Sequence, residues 1–196
     1  VVDLCAAPGG KSTHIAAILN NTGVLYSNDI SKERISSLKS NLSRMAVTNA
    51  IITNVDALLF NVGKVDRILL DAPCSGTGVI SKDPSIKTSK SVEDIKRVVK
   101  IQQKLILHAF DMLRSGGCMV YSTCSVLVEE NEGVVDYLLS QRKSAKVVDL
   151  NVAVGREGFI HFRNENFNGS LQKARRIYPH VHNMDGFFYV KIFKAE

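Results

Sequence analysis

Five short apolar runs, each closed by polar turn residues and followed by a stretch able to form a helix, constrain this chain more than any other feature. They are Val1 to Leu4, Val24 to Ser27, Ile51–Ile52 with Val55, Ile68 to Leu70, and Cys118 to Ser122. Runs of this length between turn residues read as buried strands. The first is followed by a glycine turn and a helix through Ile15–Leu19, for which Gly23 is the expected left-handed cap. Behind Ser31, a capping residue, Ile35, Leu38, Leu42 and Met45 recur at helical spacing. A longer stripe, Ile95, Val98, Val99, Leu105, Ile106, Ala109, Met112 and Leu113, runs to an expected stop at Gly116–Gly117. The helix after the fifth strand starts with Glu129, Glu130 and Glu132 and ends near Arg142 and Lys143, which complements its dipole at both ends. Such alternation predicts an α/β, Rossmann-like, doubly wound and mostly parallel sheet, closed by a C-terminal strand over Phe187 to Phe193.

With 196 residues, 45% of them hydrophobic and 22% charged, residues 1–196 suit one globular domain with a sizeable core. No apolar run reaches the roughly 18 residues of a membrane span, and no basic-then-apolar leader is visible. Val1 lies inside an apparent strand and no initiator Met precedes it, so the chain is expected to be a piece of a longer protein. The net charge of +6 fits a polyanionic partner and a plainly basic surface equally well. Lys82, Lys87, Lys90, Lys96, Arg97, Lys100 and Lys104 concentrate part of that charge, and Arg156, Arg163, Lys173, Arg175 and Arg176 add to it. Cys5, Cys74, Cys118 and Cys124 show neither a CxxC pair nor a His-Cys metal spacing, so an intracellular, reducing compartment and no metal are expected. His161, His180 and His182 read as parts of an aromatic-packed loop rather than as ligands. Phe159, Phe162 and Phe167 fit a hydrophobic rim to the sheet better than a base-stacking platform.

The turn after the first strand, Ala6-Ala7-Pro8-Gly9-Gly10-Lys11-Ser12, must hold something against a helix N-terminus. It overlaps the phosphate loop GxxxxGK[ST], but the required first glycine falls on Cys5. A dinucleotide fingerprint is absent, because Gly9 and Gly10 are adjacent and no third glycine follows. S-adenosylmethionine remains, a ligand that needs a glycine turn and a carboxylate for its ribose. Asp29 lies 19 residues after Gly10, where a Rossmann ribose carboxylate falls. Asp56 ends the third strand and could face the adenine; Asp71 ends the fourth. Each of these acids alone is better explained as a turn residue. Their recurrence at successive strand ends points to a ligand.

The segments Asp3-Leu4-Cys5-Ala6-Ala7-Pro8-Gly9-Gly10-Lys11, Asp71-Ala72-Pro73-Cys74-Ser75-Gly76-Thr77-Gly78 and Ser122-Thr123-Cys124-Ser125 occur in that order. In them the chain resembles the Sun/RsmB family of S-adenosylmethionine-dependent RNA cytosine-5 methyltransferases. Ile80 to Pro84, Glu157-Gly158-Phe159, Arg175–Arg176 and Tyr178 to Phe188 resemble its eukaryotic nucleolar branch, which methylates large-subunit ribosomal RNA. The resemblance implies donor binding by Cys5, Ala6, Ala7, Pro8, Gly9, Gly10, Lys11, Asp29, Arg34, Asp56, Asp71 and Pro73. It implies Cys124 as nucleophile, Cys74 assisting proton removal or product release, and Asp71 contacting the methionine part or the base. It further implies ribosomal RNA and pre-ribosomal particles as partners, a monomer, and a nuclear, nucleolar location. The family's RNA-recognition segment, normally ahead of the first strand, is expected to lie outside this chain.

The two thiols answer a chemical need. Carbon 5 of cytosine is a poor nucleophile, and adding a thiolate to carbon 6 makes it an enamine that can accept a methyl group. Either thiol, read alone, could also be an inert small hydrophobe, the reading that suits Cys118. An RNA-binding assembly scaffold with dispensable catalysis is the rival function, and an NTPase dependent on Lys11 a weaker one.

Overall fold

The computed structural model describes residues 1–152 and 154–196. Its first five strands are β1 (Val2–Asp3), β2 (Leu25–Asn28), β3 (Ala50–Thr53), β4 (Val65–Asp71) and β5 (Leu113–Thr123). They are parallel and lie in the order β3-β2-β1-β4-β5. The order reverses at β1, so the carboxyl ends of β1 and β4 open a crevice of the kind that binds ligands in doubly wound sheets. Helices α1 (Gly10–Ile18), α2 (Lys32–Arg44), α3 (Ile86–Ser89), α4 (Val92–Met112) and α5 (Glu132–Gln141) fall between or after these strands.

β6 (Ala145–Val148) follows α5. Beyond it, the loop-rich stretch forms β7 (Arg156–Glu157), the separate hairpin β8 (His161–Phe162) and β9 (Glu165–Asn166), β10 (Arg175–Ile177) and the short α6 (Pro179–His182). The expected closing strand is β11 (Phe187–Lys194), antiparallel to β5 from Phe188–Thr123 to Phe193–Cys118. Its far edge is shared by β10 at one end and β6 at the other.

The core follows from alternation. Ile68, Leu70, Met119, Tyr121, Phe188, Val190 and Ile192 are buried on adjoining strands, and α4 adds Leu105, Ile106, Ala109 and Phe110. Ser91 starts α4 with a capping box: its hydroxyl accepts the Asp94 N–H at 3.1 Å while the Asp94 carboxylate accepts the Ser91 N–H at 3.1 Å. Such a cap stabilises a helix by about 1 kcal/mol. A buried cation anchors the C-terminal region. Arg176 lies 3.5 Å from Glu132 and stacks at 4.8 Å on the Phe159 ring, while its Nη2 donates to the Val126 carbonyl at 2.8 Å.

Several boundaries differ from the sequence reading. α4 ends at Met112, before the Gly116–Gly117 stop, because Leu113 is fully buried in extended conformation beside β4. The glycines sit inside β5, where Gly116 (φ 77°) serves an irregular register opposite Val65 and Arg67. α1 closes at Ile18, and Asn20 and Asn21 take positive φ ahead of Gly23. Met45 is exposed, since α2 has already ended, and Val24 and Val55 lie outside their strands. Glu129 and Glu130 precede α5, and Glu130 and Glu132 are buried in hydrogen bonds rather than facing solvent at a helix start.

Candidate active site

The tips of β4 and β5 are register partners, Asp71 beside Ser122. Backbone pairing continues one step further, where Ala72 N–H donates to the Ser122 carbonyl at 2.8 Å. The Ser122 hydroxyl donates to Asp71 Oδ1 at 2.7 Å, and Lys11 Nζ to Asp71 Oδ2 at 2.7 Å. Each chain then turns into a loop carrying a thiol, and the Cys74 and Cys124 sulfurs meet at 3.0 Å. The shared hydrogen bond splits their acidities. Donating S–H to Cys124 pushes the Cys74 thiol far up, with burial adding to the effect; accepting it lowers Cys124. Cys124 is thus the sulfur disposed to be thiolate. Cys5 goes the other way, raised by burial to about 12.

A cleft of about 560 Å³ opens beside the thiols. Of the residues expected to bind the donor, Cys5, Ala7, Asp29, Arg34, Asp56, Asp71 and Pro73 line it, together with Cys74 and Cys124. Ala6, Pro8, Gly9, Gly10 and Lys11 do not; they build the turn behind it. The Ala6 N–H ties that turn to β2 through the Asn28 carbonyl at 2.7 Å. Gly9 precedes α1 at φ 108°, and a Cβ there would lie 2.9 Å from Leu38 Cδ1, so only glycine fits without strain. Lys11 pairs with Asp71 and lies 5.4 Å from the Phe187 ring.

Asp29 is buried at the tip of β2. It accepts the Ala7 N–H at 3.0 Å and the Ser31 N–H at 2.9 Å, which fastens the glycine turn to the start of α2. The Arg34 guanidinium lies 3.8 Å away and donates to the Ala7 carbonyl. Asp56 holds the Leu58 N–H at 2.9 Å, and Ile30, Ala57, Leu58 and Ile101 give the cleft apolar walls. A carboxylate beside flat apolar walls, with the thiols at one end, suits a nucleoside whose ribose hydroxyls meet Asp29 and whose base lies against those walls. The residues present therefore fit S-adenosylmethionine.

Glu130, Gln102, Ser75, Ser125 and Thr77, to none of which the sequence reading gave a role at the site, form a largely buried polar network behind the thiols. The one available signal was that Cys-Ser occurs twice, at 74–75 and 124–125. The Gly78 N–H donates to the Cys124 carbonyl at 2.9 Å, and the Gly186 N–H donates to the Gly78 carbonyl at 2.8 Å. A Cβ on Gly78 would fall 2.1 Å from the Gly186 oxygen. Cys118 stays on mid-β5, outside this site. Phe159 and Phe167 serve the rim, Phe159 against Arg176 and Phe167 against the core. His161 bonds Asn166 and His182 bonds the Tyr178 backbone, both local contacts.

This fold and cleft define a Rossmann-like methyltransferase domain, of a family that uses S-adenosylmethionine. The model of the 16S rRNA methyltransferase RsmB/F family matches residues 1–193. The chain belongs to that family. It is 50% identical over 200 residues to the human protein named 28S rRNA (cytosine(4447)-C(5))-methyltransferase, across 99% of this chain and 24% of the human one. It is 47% identical to the Schizosaccharomyces pombe protein named 25S rRNA (cytosine-C(5))-methyltransferase nop2, across 99% of this chain and 33% of that one. The chain thus spans between a quarter and a third of the length of these relatives. The structure of NSun6 from Pyrococcus horikoshii with SFG, an S-adenosylmethionine analogue, is similar at TM-score 0.85 and 36% identity, over 100% of this chain and 47% of that one.

Proposed function

We propose that residues 1–196 are the catalytic domain of a protein that methylates carbon 5 of a cytosine in large-subunit ribosomal RNA through a covalent adduct at carbon 6. The observation that carries this reading is the Cys74–Cys124 pair, 3.0 Å apart in the lining of the cleft that also holds Asp29 and Asp56. Cys5, Ala7, Asp29, Arg34, Asp56, Asp71 and Pro73 would hold the donor, with the glycine turn behind them. The bound donor supplies a methyl group on a positively charged sulfur.

The Cys124 thiolate adds to carbon 6 of the cytosine, and the ring electrons move toward carbon 5. Asp71, held by Lys11 and Ser122, stands where it can orient the base or the methionine end of the donor. Once carbon 5 is methylated, a base takes its proton, the carbon 5–carbon 6 double bond re-forms, and the carbon–sulfur bond breaks. Cys74 then donates its hydrogen bond to the departing Cys124 sulfur, which favours elimination and product release. A target base inside a duplex has to be flipped out to reach the thiols. The two rRNA-named relatives support a ribosomal substrate; a role in ribosome biogenesis in the nucleolus, on pre-ribosomal particles and as a monomer, completes the proposal on the family resemblance. RNA selection then falls to segments beyond this domain.

The test is covalent trapping of the full-length protein on RNA containing 5-azacytidine, with the donor present. An adduct formed by the parent and by Cys74→Ala, and lost in Cys124→Ala, is the expected result. Loss only in Cys74→Ala reverses the thiol roles. No adduct in any form, with donor and RNA both bound, turns the reading toward an assembly scaffold.

A further inference from the structure

Glu130 takes no part in the chemistry above, yet both thiol loops converge on it. It is fully buried. Its Oε1 accepts the Ser125 hydroxyl at 2.8 Å and the Ser75 hydroxyl in a shorter contact. Its Oε2 accepts the Ser75 backbone N–H at 2.8 Å and the Gln102 amide at 2.9 Å. Ser75 directly follows Cys74, and Ser125 directly follows Cys124. One carboxylate therefore gathers the two loops at equivalent positions. Gln102 extends the tie from α4, since its Nε2 also donates to the Pro73 carbonyl at 2.8 Å.

We infer that Glu130 is a positioning residue for the thiol pair, setting the Cys74–Cys124 separation and so the hydrogen bond the two sulfurs share. The inference rests on the covalent-adduct reading for its catalytic meaning. Hydrogen bonds to an ionised carboxylate are roughly twice as strong as neutral ones; three of them here come from thiol loops 50 residues apart in sequence, and a fourth comes from α4. A thiol–thiol hydrogen bond has no such directional strength, so the sulfurs depend on the loops for their contact. The negative charge of Glu130 raises both thiols, and that of Asp71 raises Cys124. Ser75→Ala and Ser125→Ala leave both charges in place, so they separate the geometry from the charge.

The experiment uses the full-length protein and Glu130→Gln, which keeps the side-chain shape but removes the charge and one of the two accepting oxygens, so that the network loses its ionised acceptor. Iodoacetamide alkylation of Cys124 and Cys74 is followed separately by mass spectrometry, beside donor affinity and trapping on 5-azacytidine RNA. In the parent, Cys124 should react at least about tenfold faster than Cys74, as a thiolate against a thiol. In Glu130→Gln that ratio should fall by about fivefold or more and trapping should slow, with donor affinity unchanged. An unchanged ratio and trapping rate in the folded variant overturns the inference. Should Glu130→Gln lack a cooperative melting transition, Ser75→Ala and Ser125→Ala decide: a lowered ratio in both supports the inference, and an unchanged ratio in both overturns it. A parent that shows the reactivity ratio but never traps RNA refutes the covalent reading alone, and the ratio still judges Glu130.

Discussion

The cleft has two walls built by different means. The donor wall, at the tips of β1, β2 and β3, is made of backbone groups held by single carboxylates, Asp29 above all. The thiol wall, at the tips of β4 and β5, is held by side chains that meet one another: Glu130 with Ser75, Ser125 and Gln102. A wall of backbone depends on conformation, so glycines and one or two acids define it. A wall of side chains depends on several residues being right at once. The first should therefore fail locally when altered, and the second should fail as a unit.

The sharpest test of that contrast is Asp29→Ala in the full-length protein. It removes a buried carboxylate that accepts two backbone N–H groups, an interaction class worth about 1.5–3 kcal/mol. Donor affinity, read by calorimetry, should fall by about ten- to a hundredfold, while the Cys124-to-Cys74 alkylation ratio stays at the parent value. A ratio that moves with Asp29 would merge the two walls into one.

Asp3 sits at the end of β1, between the walls. Its Oδ2 accepts the Ser12 hydroxyl at 2.6 Å, its Oδ1 has no hydrogen-bond partner among the described residues, and burial raises its pKa to about 7. An acid whose folded pKa lies above its unfolded value binds more protons when folded, so it lowers stability as pH rises from about 4 toward about 7. Denaturant melts of the parent at mildly acidic and mildly alkaline pH should differ by about 2 kcal/mol from this group. Asp3→Asn should flatten that slope. An equally steep slope in the variant would place the titration elsewhere.

The smallest effect belongs to Lys11. Its ion pair with Asp71 is substantially exposed, and pairs of that kind contribute about 0–1 kcal/mol. Lys11→Met should leave the melting temperature nearly unchanged and act only on donor binding or turnover. A large loss of stability would show that the Lys11–Asp71 pair holds the fold as well as the cleft.

The donor wall was readable in the sequence and much of the thiol wall was not. Gly9 sits in a glycine pair at the expected turn, and Asp29 stands out because acids recur at successive strand ends beside that turn. Cys74 and Cys124 were also legible, each ending a strand-and-turn segment. Glu130 was misread because an acid just before a helix has an ordinary explanation in the helix dipole, and nothing local marks it as buried. Its role depends on β4 and β5 being neighbours, which only the folded sheet brings about. Arg176 was hidden for the same reason, a cation read as surface charge that in fact packs against Phe159, Tyr178 and Phe188. Gly116–Gly117 misled in the opposite sense, since a glycine pair ends helices more often than it bends strands.

The Gly78–Gly186 backbone contact sets a timetable for biosynthesis. The Cys124 carbonyl is held by Gly78, and Gly78 in turn by Gly186, just ahead of β11. While the chain is still being translated, the parallel strands and the donor turn can be complete, yet the loop behind Cys74 lacks its last tether until Gly186 has left the exit tunnel. The thiol loops thus receive their last backbone tether from the C-terminal end of the domain.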